Sequence, residues 1–370
     1  MLVWSDVATH AHSGVLGQRP VLAGPDLVLL LEGQGVVSGT PTLQNASLVS
    51  HNGGSLEIGG GPSDDTTVLL LQGPSSRLQA LSSGTLVMSS PSTVSVVCPT
   101  PSAGGVPPIQ VQEQGSWLLE GSVVASLQDC EVSVSGSSSL LHATSLSQLR
   151  LLGSSTLRLQ PSSHLLLDGI VSVSGPSSML LGEGTNLSPS SNPPGASTLW
   201  CSDSSTCSFS QSSNVTLQGW WNGTDGSQLR LWDSSSLLVG GISLTAASTA
   251  TITASSTLHV RDYLLLQGHS TLEVDDSCVQ GLGSTTVQLS TASSLLLNAS
   301  VTPCTTPHTP IPLSSLSLGL QDEDPVTTTT TTTTTTSSGL AWQGGGSTLA
   351  LLSPTLSLAL QGDLSLWGAH

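Results

Sequence analysis

The sequence predicts an all-β solenoid, a chain wound into stacked coils of short strands, and three observations carry that expectation. Ser and Thr supply 109 of the 370 residues and Gly 39, only 8% are charged, and a single Phe and a single Tyr occur. Apolar mass that is nearly all Leu, Val, Ile and Ala suits many small repeated layers better than one central core. A short phrase also recurs: one or two Ser or Thr, a run of Leu and Val, then Gly or Ser, as in Ser155–Leu159, Ser163–Leu167, Ser256–Val260, Ser270–Val274 and Ser294–Leu297. Between Gln228 and Leu297 the runs centre near Leu229, Leu237, Leu244, Ile252, Leu258, Leu265, Leu272, Val287 and Leu295, mostly six to eight residues apart. That step holds one strand of a few residues and one tight turn.

A helical reading fails because apolar positions do not recur at three and four over any long window, and Ser, Thr and Gly are poor helix formers. Three strands per circuit give a coil of about 22 residues, the repeat of a parallel β-helix, and the chain has length for about a dozen coils. In such a stack like residues lie above like. Leu and Val build an inward apolar ladder, outward Ser and Thr bond their neighbours without like-charge repulsion, and Gly relieves the corners. Leu-Leu-Leu-x-Gly endings at Gly33, Gly73, Gly169 and Gly268 read as exits from strand to turn.

The rhythm is expected to run over residues 1–301, with loops near 98–108 and 188–200 where Pro and Gly cluster. Residues 302–338, with the acidic Asp322–Asp324 and ten Thr from Thr327 to Thr336, read as a Pro/Thr-rich low-complexity insertion or linker. Three further strand phrases in 339–370 read as a terminal coil or cap.

This pattern resembles the right-handed parallel β-helix proteins, both the pectin-lyase-like architecture and the stacked stalks of large adhesins. The resemblance lies in rhythm over most of the chain and carries over no functional residue. Gly-Gly-x-Gly-x-Asp calcium repeats are absent.

The positive charge rests on six Arg with no Lys, against a net charge of −17. A surface this acidic repels phosphate backbones, which excludes nucleic acid as a partner and disfavours anionic membranes. No apolar stretch approaches the roughly 20 residues of a membrane span, so no transmembrane segment is expected.

Six cysteines, Cys98, Cys130, Cys201, Cys207, Cys278 and Cys304, come as near neighbours. Proximity suggests Cys201 with Cys207, Cys98 with Cys130 and Cys278 with Cys304; other connectivities and unpaired buried thiols stay open. Five of seven Asn, namely Asn45, Asn186, Asn214, Asn222 and Asn298, head a glycosylation sequon. Both features point to an oxidising, extracellular or cell-surface setting. Met1–Asp6 has neither the basic nor the apolar region of a signal peptide, so either the chain is a piece of a larger secreted product or that setting is wrong.

No catalytic set, cofactor motif or metal site stands out. His10 and His12 share a strand face but lack a third ligand nearby. The carboxylate pairs Asp64–Asp65 and Asp275–Asp276 point to opposite faces of a strand and would need a partner from another coil, for which Asp262 is nearest. Trp220 and Trp221, beside the Asn222 sequon and one strand before Trp232, either offer a platform for a sugar ring or fill the coil interior. Trp220, Trp221, Asp275 and Asp276 are therefore the candidate carbohydrate contacts. The function expected is that of a non-enzymatic, extracellular structural or adhesive solenoid with a carbohydrate or cell-surface protein as partner. The alternative is a carbohydrate-active β-helix acting on or binding polysaccharide.

Overall fold

The computed structural model describes residues 9–16, 21–59, 66–89, 93–98, 106–144, 146–190, 197–275, 277–281, 286–290 and 293–297. Beyond these it describes the strand backbones Ile311–Leu313, Ser315–Gly319, Thr334–Thr336, Gly339–Gly344, Ser347–Leu351, Leu358–Leu360 and Leu364–Trp367. The chain forms two compact units, Met1–Thr198 and Leu199–His370. Each is a parallel β-solenoid, and among the described residues no helix is long and apolar enough to cross a membrane.

In the first unit the strands sort onto three faces. Ser55–Gly59, Thr85–Ser89, Ser116–Leu119, Leu140–Ala143, His164–Leu167 and Asn186–Ser188 stack in parallel register on the first. Thr66–Gln72, Thr93–Val97, Val124–Gln128, Gln148–Leu152 and Ile170–Ser174 form the second. Arg77–Leu81, Ile109–Gln112, Glu131–Ser135, Thr156–Leu159 and Met179–Glu183 form the third. In the second unit Asn214–Gly223, Ser236–Leu244 and Thr257–Leu266 each run through a corner and supply two faces. The third face there is Thr206–Ser210, Gln228–Leu231, Thr249–Ile252, Thr271–Val274 and Ser294–Leu297.

From Ile109 to Asn186 register partners in the first unit stand between 22 residues apart, as Gln148 and Ile170, and 25, as Glu131 and Thr156, and an earlier coil is shorter, 21 from Gln34 to Ser55. In the second unit, up to Ser294, the range is 21, as Gln228 and Thr249, to 23, as Thr271 and Ser294. The expected coil length and three strands per coil therefore hold. Longer coils mark insertions: Ser55 to Thr85 is 30 residues and Thr85 to Ser116 is 31. Their surplus falls at 60–65, which the rhythm did not foretell, and at 99–105, inside the expected loop; both lie outside the described residues. Near 188–200, Thr198 N donates to Gly169 O, 29 residues back, where one coil earlier Ile170 N reaches Ser147 O, 23 back. The surplus there matches 191–196, also outside the described residues. Within 302–338, Ser315–Gly319 stacks in parallel on Thr286–Ser290, and Thr334–Thr336 pairs antiparallel with Gly339–Gly344. In 339–370, Ser347–Leu351 stacks on Ser294–Leu297 and Leu364–Trp367 on Ser315–Gly319.

Stacking explains the monotony of the core. Leu56, Leu86, Trp117, Leu141, Leu165 and Leu187 are successive register partners on one inward row, all fully buried. Each coil packs only on the coils above and below, so one Leu-sized position repeated from coil to coil is a sufficient core.

The corners carry a second buried ladder, of serine. Ser155, Ser178, Ser205, Ser227, Ser248, Ser270 and Ser293 each sit immediately before a third-face strand and are buried. Ser155 closes its turn, with its N–H 3.2 Å and its hydroxyl 2.7 Å from Leu152 O; the same hydroxyl lies 2.8 Å from Leu127 O in the preceding coil. Ser178 and Ser248 likewise donate to corner carbonyls, Ser174 O and Gly223 O, whereas the hydroxyls of Ser227, Ser270 and Ser293 are buried without a hydrogen-bond partner among the described residues, so what the ladder shares is a small buried side chain and not one bonding pattern. The turn residues before it are left-handed without being glycine, for example Asp203 and Ser204, Asp233 and Ser234, Ala246 and Ala247. Stacked turns help offset that strain by bonding each other, as Ser204 N to Asp225 O, Gly226 N to Ala246 O and Ala247 N to Gly268 O.

Candidate functional site

The second unit presents an outward aromatic ridge built by the corner where a strand passes from one face to the next. There Gln218 and Gly219 oppose the single residue Gly240, which in turn opposes Arg261 and Asp262, so the register shifts twice. After the corner the rows run Trp220, Gly241, Tyr263 outward and Trp221, Ile242, Leu264 inward. The two glycines of the middle coil form a saddle. A Cβ on Gly241 would stand 2.7 Å from the Trp220 ring, and one on Gly240 2.6 Å from Gln218 O. Over that saddle Trp220 lies parallel to Tyr263, centroids 5.9 Å apart and planes within 9°, and Arg261 Nη1 donates to Gln218 Oε1 at 2.5 Å.

One strand earlier, Trp200 is the register partner of Asn222 and shares its outward row. Trp200 is 46% exposed and Tyr263 47%. The ridge thus joins two accessible aromatic rings to an amide, a cation at Arg261 and an exposed carboxylate at Asp262. Such a surface offers apolar ring faces beside hydrogen-bonding groups, the chemistry that suits a pyranose ring.

The candidates from sequence separate here. Trp221 points into the coil, fully enclosed, with Phe209 edge-on at 6.3 Å, while Trp220 faces out. Trp232 stands in a different turn, where its Nε1 donates to Ser208 Oγ at 3.1 Å. Asp275 follows Thr271–Val274 on the third face, whereas Trp220 opens the second, so the two are not brought together. Asp276, Asp64, Asp65 and Asp322–Asp324 lie outside the described residues, as do the side chains of His10 and His12. Among the described residues no three His, Cys, Asp or Glu gather as metal ligands. Trp200 and Tyr263 were missed, yet coil spacing was a usable signal: Trp200 precedes Asn222 by 22 residues and Tyr263 follows Trp220 by 43, two coils.

Cys98 and Cys130 form a disulfide with Cα atoms 5.0 Å apart, linking adjacent coils where the chain leaves for 99–105; Cys201 and Cys207 form another, Cα atoms 6.7 Å apart. Cys304 and the side chain of Cys278 lie outside the described residues, as does Asn298. Of the other sequons, Asn214 is exposed beside Ser236, and Asn186 and Asn222 are half-buried. Asn45 is left-handed at a corner, and its Oδ1 lies 2.1 Å from where a Cβ on Gly73 would stand. Its amide is already packed against backbone.

A cluster that sequence reasoning did not find joins Asp168, Ser190 and His142 in the first unit. Asp168, only 4% exposed, accepts from Ser190 N at 2.9 Å and from Ser190 Oγ. His142 Nε2 lies 3.1 Å from Ser190 Oγ and 3.7 Å from Asp168 Oδ2. In a nucleophilic triad the imidazole stands between acid and hydroxyl. Here the carboxylate itself accepts from the hydroxyl and fastens Ser190, with the imidazole to one side of that bond and not between acid and hydroxyl. Burial pushes the Asp168 carboxyl up, but both Ser190 bonds and neighbouring His142 outweigh it and hold it below its ordinary 3.8.

A carboxyl whose folded value is depressed adds stability that is complete above the unfolded value and disappears as pH falls through the folded one. Acidification from neutrality to below the ordinary carboxylate range is therefore expected to release Ser190, with a local loss of about 1.5 kcal/mol. Hydrogen exchange at the Ser190 amide should accelerate on that descent, and Asp168→Asn should flatten the dependence; an equal dependence in the variant would assign it to another group.

No protein-family model matches the chain, and comparison with curated proteins yields no match, so what the ridge and the disulfide-stapled coils do rests on their own chemistry.

Proposed function

We propose that the protein is a non-enzymatic, extracellular or cell-surface structural or adhesive solenoid, glycosylated and disulfide-stapled. The observation that carries this reading is the pair of enclosed disulfides, Cys98–Cys130 and Cys201–Cys207, which persist in oxidising compartments and are rare where thiols are kept reduced. A Ser/Thr-rich, net-acidic exterior is in keeping with it. In this reading residues 302–338 are a Pro/Thr-rich insertion or linker and 339–370 a terminal coil or cap, for which the stacking of Ser347–Leu351 on Ser294–Leu297 is support.

Mass spectrometry of peptides from the native protein, with and without reduction, tests it. Both disulfides should be intact and Asn214 should carry a glycan, whereas Asn45, held against Gly73, should be bare. Free thiols with an unmodified Asn214 would overturn the reading and place the chain in a reducing compartment.

The second reading, polysaccharide binding, draws on the ridge at Trp200, Trp220 and Tyr263. For hydrolysis the carboxylates would have to face one another across about 5–9.5 Å. Asp262 stands at the corner beside Tyr263 and Asp275 follows the third-face strand Thr271–Val274, so the ridge itself speaks for binding.

A further inference from the structure

The sequon at Asn222 lies in the middle of the aromatic ridge. Trp200 and Asn222 are partners on adjacent parallel strands, about 4.8 Å apart, and both face out. Trp220 is two residues before Asn222, on the same side of the same strand and about 6.6 Å away. The Asn222 amide is thus bounded across the sheet by one indole and along the strand by another. Ser243, its partner in the following coil, is small.

Burial of the two indoles is unequal. Trp200 is left 46% exposed, whereas Trp220 is half-buried over Gly241. Leaving nearly half of a large ring in water is costly.

We propose that the first sugar of an N-glycan on Asn222 folds back onto Trp200 and Trp220, so that the ridge is a clasp for the chain's own saccharide. The chemistry is local. The Asn222 Nδ2 is the attachment atom, the pyranose presents its C–H face to the electron-rich indole face, and its hydroxyls stay toward solvent. The covalent step is that of any sequon: Asn222 Nδ2 displaces the activated carrier from a sugar carbon, the N–C bond forms, and the carrier leaves with the electron pair while Nδ2 loses one proton. Thr224 completes the sequon just beyond the end of that strand, before the turn. The proposal rests on the extracellular reading above, and Asn214 separates the two, because it is exposed on another face with Ser236 as its neighbour and no aromatic in its row.

The test uses the full chain isolated from the cells that make it, treated without denaturation with an amidase that cuts the Asn–sugar bond, and followed peptide by peptide by mass spectrometry. Asn222 should be released about tenfold more slowly than Asn214, the factor set by roughly one aromatic contact. Trp200→Ala should abolish the difference and Trp200→Phe should restore most of it. Equal release at both sites, or protection unchanged in Trp200→Ala, overturns the clasp. An occupied Asn214 with a bare Asn222 overturns it while leaving the extracellular reading intact, and two bare sites remove both. Quenching of ridge fluorescence by added oligosaccharide while the Asn222 glycan is in place would also overturn it, in favour of an external ligand.

Discussion

Replacing Trp117 with Ala is expected to lower the unfolding free energy of the first unit by about 3–5 kcal/mol. Trp117 is wholly enclosed, and its register partners above and below are Leu86 and Leu141. Truncation removes most of a ring system from a row where each residue has one neighbour on either side, so few side chains can move in to fill the void. Trp117→Leu is expected to cost far less, about 1–2 kcal/mol, for two reasons. Leu is what the rest of the row carries, and the substitution deletes the indole Nε1, a buried donor with no partner among the described residues. Urea denaturation followed by far-UV circular dichroism compares the variants. Because coils contact only their neighbours, hydrogen exchange in the Ala variant should rise first at Thr85–Ser89 and Leu140–Ala143. Losses of similar size for Ala and Leu would mean that the ring fits its layer no better than a void does.

The fold was legible because stacking forces each coil to repeat the same phrase. Once a Ser-led run of Leu recurs every six to eight residues, a coil of three short strands places alternate Leu inside and the leading Ser at a corner. What eluded the reading depends on which residues share a level. Trp220 and Trp221 are adjacent, so alternation says that one faces in, but only the row Trp221, Ile242, Leu264 says which. Asp168 sits in a Leu-Leu-Leu-Asp-Gly exit like three others, and its distinction comes from His142 and Ser190, which precede and follow it by 26 and 22 residues. Corner chemistry was read as a matter of glycine. The structure instead gives many left-handed corner positions to Ser, Asp, Ala and Gln, because bonds between stacked turns do there what permissive backbone does in an isolated turn.

Where glycine is required at a corner, the reason is proximity more than backbone freedom, and Gly53 and Gly54 separate the two causes. Gly53 is left-handed at φ 79° with nothing near the place of a Cβ. Ala there should cost about 1 kcal/mol, the penalty of a side chain on a left-handed residue. Gly54 has no such dihedral, but a Cβ on it would stand 2.1 Å from Leu31 O, 2.8 Å from Leu31 C and 3.0 Å from His51 O. All three are backbone atoms. His51 O accepts the bond from Gly54 N that closes this turn, and Gly54 O in turn accepts from Thr85 N. Relief of the clash must therefore move one coil away from the next, opening ladder bonds on both sides. Gly54→Ala is expected to cost roughly 3 kcal/mol or more, several times the cost of Gly53→Ala, although the two sites are adjacent and the chemical change is identical. Thermal unfolding of the two variants side by side measures the difference. Equal shifts would show that the coils can separate there without loss, and that the ladder, not the approach of the backbones, sets the spacing at this corner.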